Sequence, residues 1–140
     1  MFVHGLRGSP FDTWGDFPQL AFEDTELGMA DVGLFKYDSS ILRWRNLKLA
    51  PERPIQDIAA ELSDIVRDHL HPYRHISFIA HSLGGLITKF ALRRIIDFHR
   101  ETGPNRYSLF LLGTPNHGST CASRIPSPAL LLFSPEIACL

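Results

Sequence analysis

The chain has 140 residues, a formal net charge of −1, 44% apolar residues and 21% charged ones. That balance is ordinary for a globular protein and lacks the basic surplus that a nucleic-acid partner demands. Two cysteines, Cys121 and Cys139, make neither a disulfide framework nor a metal-ligand pattern, and no run of about 20 apolar residues is present to span a bilayer.

In chain order, "MFVHG" is an apolar start running into glycine and reads as the end of a strand, with no signal peptide before it. Residues 5–31 are rich in Gly, Pro and Asp and read as a long loop holding one short helix, anchored by Trp14, Phe17 and Phe22. "DVGLFKYDSS" predicts a strand at about 32–37 followed by turn formers. "ILRWRNLKLAPERP" reads as a connection. Pro54 then stands at a first helical position. Ile55, Ile58, Leu62, Ile65, Val66 and Leu70 recur at three- and four-residue spacing, which predicts a helix over about 54–70, ended by His71-Pro72.

"HISFIA" is a short continuous apolar run of the kind that forms a central parallel strand buried on both faces. Leu86, Ile87, Phe90, Ala91 and Ile95 predict a helix to about residue 99. Arg93, Arg94 and Arg100 on it read as a solvated face. After Gly103-Pro104, "YSLFLLG" predicts another buried strand, leading into a Thr-Pro-Asn-His-Gly loop. Strands alternating with helices predict an α/β fold with a mainly parallel sheet flanked by helices, in a single domain over residues 1–140.

Ser82 stands where the strand meets the helix, in "FIAHSLGGLITKF". A serine there can be a helix N-cap. The full pattern says more. So tight a reversal needs small residues two before and two after the serine, and Ala80 and Gly84 supply them, with Gly85 giving further room. This is the pattern of a nucleophile elbow, which lifts the serine oxygen above the carboxyl edge of the sheet at a helix N-terminus. A serine nucleophile for acyl transfer also needs donors for the oxyanion. The Leu83 backbone N–H comes with the elbow. The Leu6 N–H, in "FVHGLRG", is the candidate for the second. His4 precedes the Gly5 turn and reads as a structural histidine that bonds to backbone.

Taken together, "FVHGLRG", "IAHSLGGL" and "LLGTPNHGS" resemble the lipase and serine esterase branch of the α/β-hydrolase superfamily, nearest in flavour to the SERAC1-type proteins and the GPI inositol-deacylase group. The resemblance implies a partial α/β-hydrolase fold with Ser82 as nucleophile and the Leu83 and Leu6 N–H groups as oxyanion donors. It places His4, Gly5, His81 and His117 at the rim, with His81 beside the nucleophile but not its base. It implies an ester or lipid substrate, with no cofactor and no metal.

In that fold the triad runs Ser, then Asp or Glu, then His. After Gly113 this sequence has one carboxylate, Glu136, and one histidine, His117, which comes early for a base. Asp38 reads as a turn-forming residue. His69, His71, His75 and His99 show no ligand spacing. The acid and base are therefore expected outside this chain, which reads as opening inside the third strand of a longer fold. Three functions remain open: a carboxylic ester hydrolase working through an acyl-enzyme on Ser82, a catalytically incomplete fragment that binds another polypeptide, and an acyltransferase or thioesterase on the same elbow. A cytoplasmic location is the default expectation, with an organelle or a peripheral membrane contact as the alternatives.

Overall fold

The structure, a computed structural model, describes residues 1–28, 30–39, 41–43, 49–51, 53–99 and 106–116. Arg100, His117, Cys121, Glu136 and Cys139, singled out in the sequence, lie outside these residues. Four parallel strands form the main sheet: β1 (Phe2–Val3), β2 (Leu34–Phe35), β5 (Ile76–His81) and β6 (Tyr107–Leu112), in the order β2-β1-β5-β6. The α/β class expected from the alternation of strands and helices is the one observed.

The predicted loop over 5–31 holds two short helices and a 3₁₀ turn. These are α1 (Pro10–Trp14), α2 (Phe17–Glu23) and the turn at Thr25–Leu27. Ser9 caps α1, its hydroxyl accepting from the Asp12 N–H at 3.1 Å, and Pro10 opens the helix where no N–H is needed. Trp14 is buried as expected, but Phe22 is 67% exposed and anchors nothing. A helix this short cannot hide both of its faces. The connection after β2 contains a small antiparallel pair, β3 (Ile41–Arg43) with β4 (Leu49–Pro51), which sequence pattern did not reveal. Leu49–Pro51 ends in proline, which is tolerated only at a sheet edge.

Helix α3 (Ile55–His69) buries Ile55, Ile58, Ala59, Leu62 and Val66 along one stripe. Its start is one residue later than predicted, because Pro54 is extended (ψ 142°) and serves as the cap position. Helix α4 (Leu83–His99) buries Leu83, Leu86, Ile87, Ala91 and Ile95. The two helices pack together over Val3, Ile76, Phe78 and Ala80, which share one face of the sheet. Each buried Val, Leu, Ile or Phe side chain there contributes about 1.5–3 kcal/mol, so this layer carries most of the core.

The opposite face is covered only in part. The Phe2 ring meets the edges of Trp14 (5.1 Å) and Phe17 (5.4 Å), so α1 and α2 lie over β1. Farther along the same face, Ile79 pairs with Phe110 and His81 with Leu112. Phe110 is 55% exposed and Leu112 44%. The expectation that "HISFIA" and "YSLFLLG" would be buried on both faces is corrected here. An apolar run records that a strand is suited to burial on both faces, not that both are covered.

Candidate active site

Strand β5 ends at His81 and α4 begins at Leu83, leaving Ser82 as the whole connection. Ser82 has φ +50°, one of two non-glycine residues in the left-handed region among the described residues. Serine pays a steric cost there that glycine avoids. Its backbone is held on both sides: the Ser82 N–H donates to the Leu112 carbonyl of β6 (2.8 Å), and the Ser82 carbonyl accepts from the Gly85 N–H (3.0 Å). The side chain is half-buried at the carboxyl edge of the sheet.

The neighbouring glycines have distinct spatial reasons. A Cβ on Gly84 would collide with the carbonyl oxygens of Val3 and His4, and one on Gly85 with the Thr114 side chain. Two glycines in succession thus let α4 start in contact with β1 and with the loop after β6. Gly5 faces the elbow itself: a Cβ there would stand 3.1 Å from the Ser82 Cβ and 2.9 Å from His81 Nδ1. The structure therefore brings the Gly5 turn against Ser82, although 76 positions separate Gly5 from His81 in the sequence.

His4 is fully buried behind this turn. Its ring lies flat on Tyr37 (centroids 4.2 Å apart, planes 5° apart). Nδ1 donates to the Gly5 carbonyl at 3.0 Å, and Nε2 accepts from the Tyr37 N–H at 3.5 Å. A carbonyl only accepts, so Nδ1 carries the proton and the ring is neutral. Burial lowers its pKa, opposed in part by these two backbone bonds. The Tyr37 hydroxyl donates to the His4 carbonyl at 2.7 Å, and burial raises its own pKa. His81 is exposed, with its ring edge-on to Trp14 at 6.3 Å.

Among the described residues, no hydrogen bond uses the N–H of Leu6 or of Leu83. No described histidine or carboxylate hydrogen-bonds the Ser82 hydroxyl, and no cluster of three metal-ligating side chains occurs among the described residues. His69 closes α3, His71 follows it, and His75 meets the Ser108 hydroxyl at 3.0 Å, all away from the elbow.

One element of the loop went unrecognised in the sequence. Ser39, read only as a turn former, accepts the Arg7 N–H on its carbonyl (3.1 Å) and donates its hydroxyl to the Gly8 carbonyl (2.8 Å). It ties the Gly5–Gly8 turn to the end of the β2 segment. A serine four residues past a strand carries no pattern that announces such a long-range bond.

A family model described as "Putative serine esterase (DUF676)" matches residues 1–114 of the chain. No curated protein and no solved structure matches it. No helix among the described residues is long and apolar enough to cross a membrane.

Proposed function

This chain belongs to the family described as "Putative serine esterase (DUF676)", and from that premise we propose that Ser82 is the nucleophile of a carboxylic ester hydrolase acting by two-step acyl transfer. The observation that carries this reading is the left-handed Ser82 (φ +50°), alone between β5 and α4. A serine helix cap ordinarily takes an extended backbone, as Ser9 does before α1 (φ −123°, ψ 167°), and Ser82 does not. Strain of this kind persists where the surrounding structure enforces it.

The chemistry runs as follows. The Ser82 hydroxyl adds to the ester carbonyl, its proton passing to a base, and the carbonyl oxygen gains negative charge. The Leu83 N–H at the start of α4 and the Leu6 N–H after Gly5 are the donors for that charge, supported by the field at the helix N-terminus. Both are without an acceptor among the described residues, as preorganised donors must be. The tetrahedral species expels the alcohol, which takes up the proton. Water then attacks the acyl-serine and releases the acid. His4 and Tyr37 hold the turn from behind, and the neutral, buried His4 ring takes no part in proton transfer.

Fluorophosphonate labelling followed by peptide mass spectrometry tests the assignment. Because no described histidine or carboxylate meets the Ser82 hydroxyl, the adduct is expected to form slowly on Ser82 in this chain and to be absent in Ser82→Ala. Labelling that persists in Ser82→Ala would remove the nucleophile role.

A further inference from the structure

Arg7 is the other non-glycine residue in the left-handed region, at φ +57°. Its turn has glycine at positions 5 and 8, yet arginine occupies the position where the backbone most favours glycine. Ser39 holds that conformation, bonding the Arg7 N–H on one side and the Gly8 carbonyl on the other. A side chain kept at a strained position within a functional loop points to a use for the side chain.

The Arg7 side chain lines an open groove of about 720 Å³ at the carboxyl ends of β1 and β2, together with Gly8, Lys36, Asp38, Arg53 and Glu61. Ligands of parallel α/β sheets bind at this edge. Arg53 and Glu61 neutralise one another at 2.8 Å, and Asp38 has interactions of its own. Arg7 and Lys36 are both exposed and form no ion pair among the described residues. The groove therefore holds three cations against two carboxylates. Two of its cations have no ion-pair partner among the described residues, and it adjoins the Gly5 turn that touches Ser82.

We infer that this groove is a subsite for an anionic group, phosphate or carboxylate, carried by the ester substrate, with Arg7 and Lys36 as its recognition residues. The inference rests on the reading of Ser82 as the nucleophile, because the turn that bears Arg7 also bears Leu6. Arg7 follows Leu6 directly, their Cα atoms about 3.8 Å apart, so the groove begins one residue from the proposed oxyanion donor. Guanidinium and ammonium groups both bind such oxygens, the guanidinium through two parallel bonds.

Calorimetric binding to the full chain carrying Ser82→Ala tests the subsite without depending on turnover. The probes are 1-butyrylglycerol 3-phosphate against 1-butyrylglycerol, 4-nitrophenyl hemisuccinate against 4-nitrophenyl butyrate, and inorganic phosphate. At least one charged ester is expected to bind about ten-fold more tightly than its neutral partner, a difference of about 1.4 kcal/mol. In the added double variant Arg7→Gln, Lys36→Gln the ratio should fall to near one. A ratio of one before the substitutions, or one that survives them, would overturn the subsite. So would inorganic phosphate binding as tightly as the charged esters, since the groove would then take a free anion. Arg7→Gly supplies a second readout: the preference should fall while the melting temperature stays level or rises. A lower melting temperature would assign the arginine to stability instead. Failure of Ser82 labelling in the native chain would remove the nucleophile while leaving these binding ratios to be read by themselves.

Discussion

Gly5 is the point at which two segments distant in sequence touch. Adding one methyl group there sets a Cβ against the Ser82 Cβ, which belongs to a constrained backbone and cannot give way, and against His81, whose exposed ring can. Gly5→Ala should therefore lower kcat/KM on a short-chain aryl ester at least about ten-fold while costing about 1–3 kcal/mol of stability. Rates compared with thermal melts separate the two effects. Leu83 gives the complementary case. Leu83→Ala keeps its backbone N–H and should be mild, whereas Leu83→Pro has none and should cost roughly 10²–10³ in rate. Circular dichroism must first show that both variants fold, and equal rates would remove Leu83 from the oxyanion hole. In a longer protein that also supplies the triad acid and base, Ser82→Ala should abolish nearly all activity and His117→Ala far less, because we assign His117 to the rim.

His4 makes a prediction about pH at the same scale. Its folded pKa lies below the ordinary 6.5 because burial disfavours the charged ring. The unfolded chain thus binds the proton more readily. The stability that this histidine contributes is full above 6.5 and is lost as pH falls through the lower folded value. Urea unfolding at about pH 8 and about pH 5 should show a larger loss in the native chain than in His4→Gln. Equal losses would mean that His4 is not held neutral.

Helix α4 depends on where its first turn can go. Gly84 faces the carbonyls of Val3 and His4, which are fixed in the central strand, and Gly85 faces the Thr114 side chain in a loop. Gly84→Ala should cost about 3 kcal/mol or more, and Gly85→Ala less, because Thr114 can shift and a paired strand cannot. Denaturant unfolding ranks them; the reverse order would place the tighter contact on the loop side. Within the helix, the buried Thr88 hydroxyl donates to the Gly84 carbonyl at 2.7 Å. That bond satisfies a hydroxyl which would otherwise be buried without a partner.

Among the described residues, one sheet face is well covered and the other is covered by α1 and α2 only over β1. Strand β6 is the edge of the sheet among the described residues, and it presents Phe110 and Leu112 to solvent. An exposed apolar edge strand pairs readily with other chains. The native chain should therefore self-associate at micromolar concentration, and Phe110→Lys with Leu112→Lys should reduce this in sedimentation velocity runs. A monomeric native chain would show that the edge is protected. This same edge is the feature that a binding module would use, so the two functional readings meet here: a module would keep its partner in Ser82→Ala, and an esterase would lose its activity.

The sequence by itself determined the two long helices, since a stripe at three- and four-residue spacing has few other ways to be buried, and it determined the elbow, since few local structures need Ala80, Ser82 and Gly84 at that spacing. It also set the parallel α/β class, because strands separated by whole helices cannot pair as hairpins. The tertiary structure alone decided what surrounds Ser82. Gly5, Ser39 and Arg7 meet through pairing of β1 with β2 and β5, and no local pattern encodes contacts between residues more than thirty positions apart. It also decided that Phe110 and Leu112 are exposed. Hydrophobicity states only how a side chain prefers to be placed, and whether another layer covers it depends on the rest of the fold.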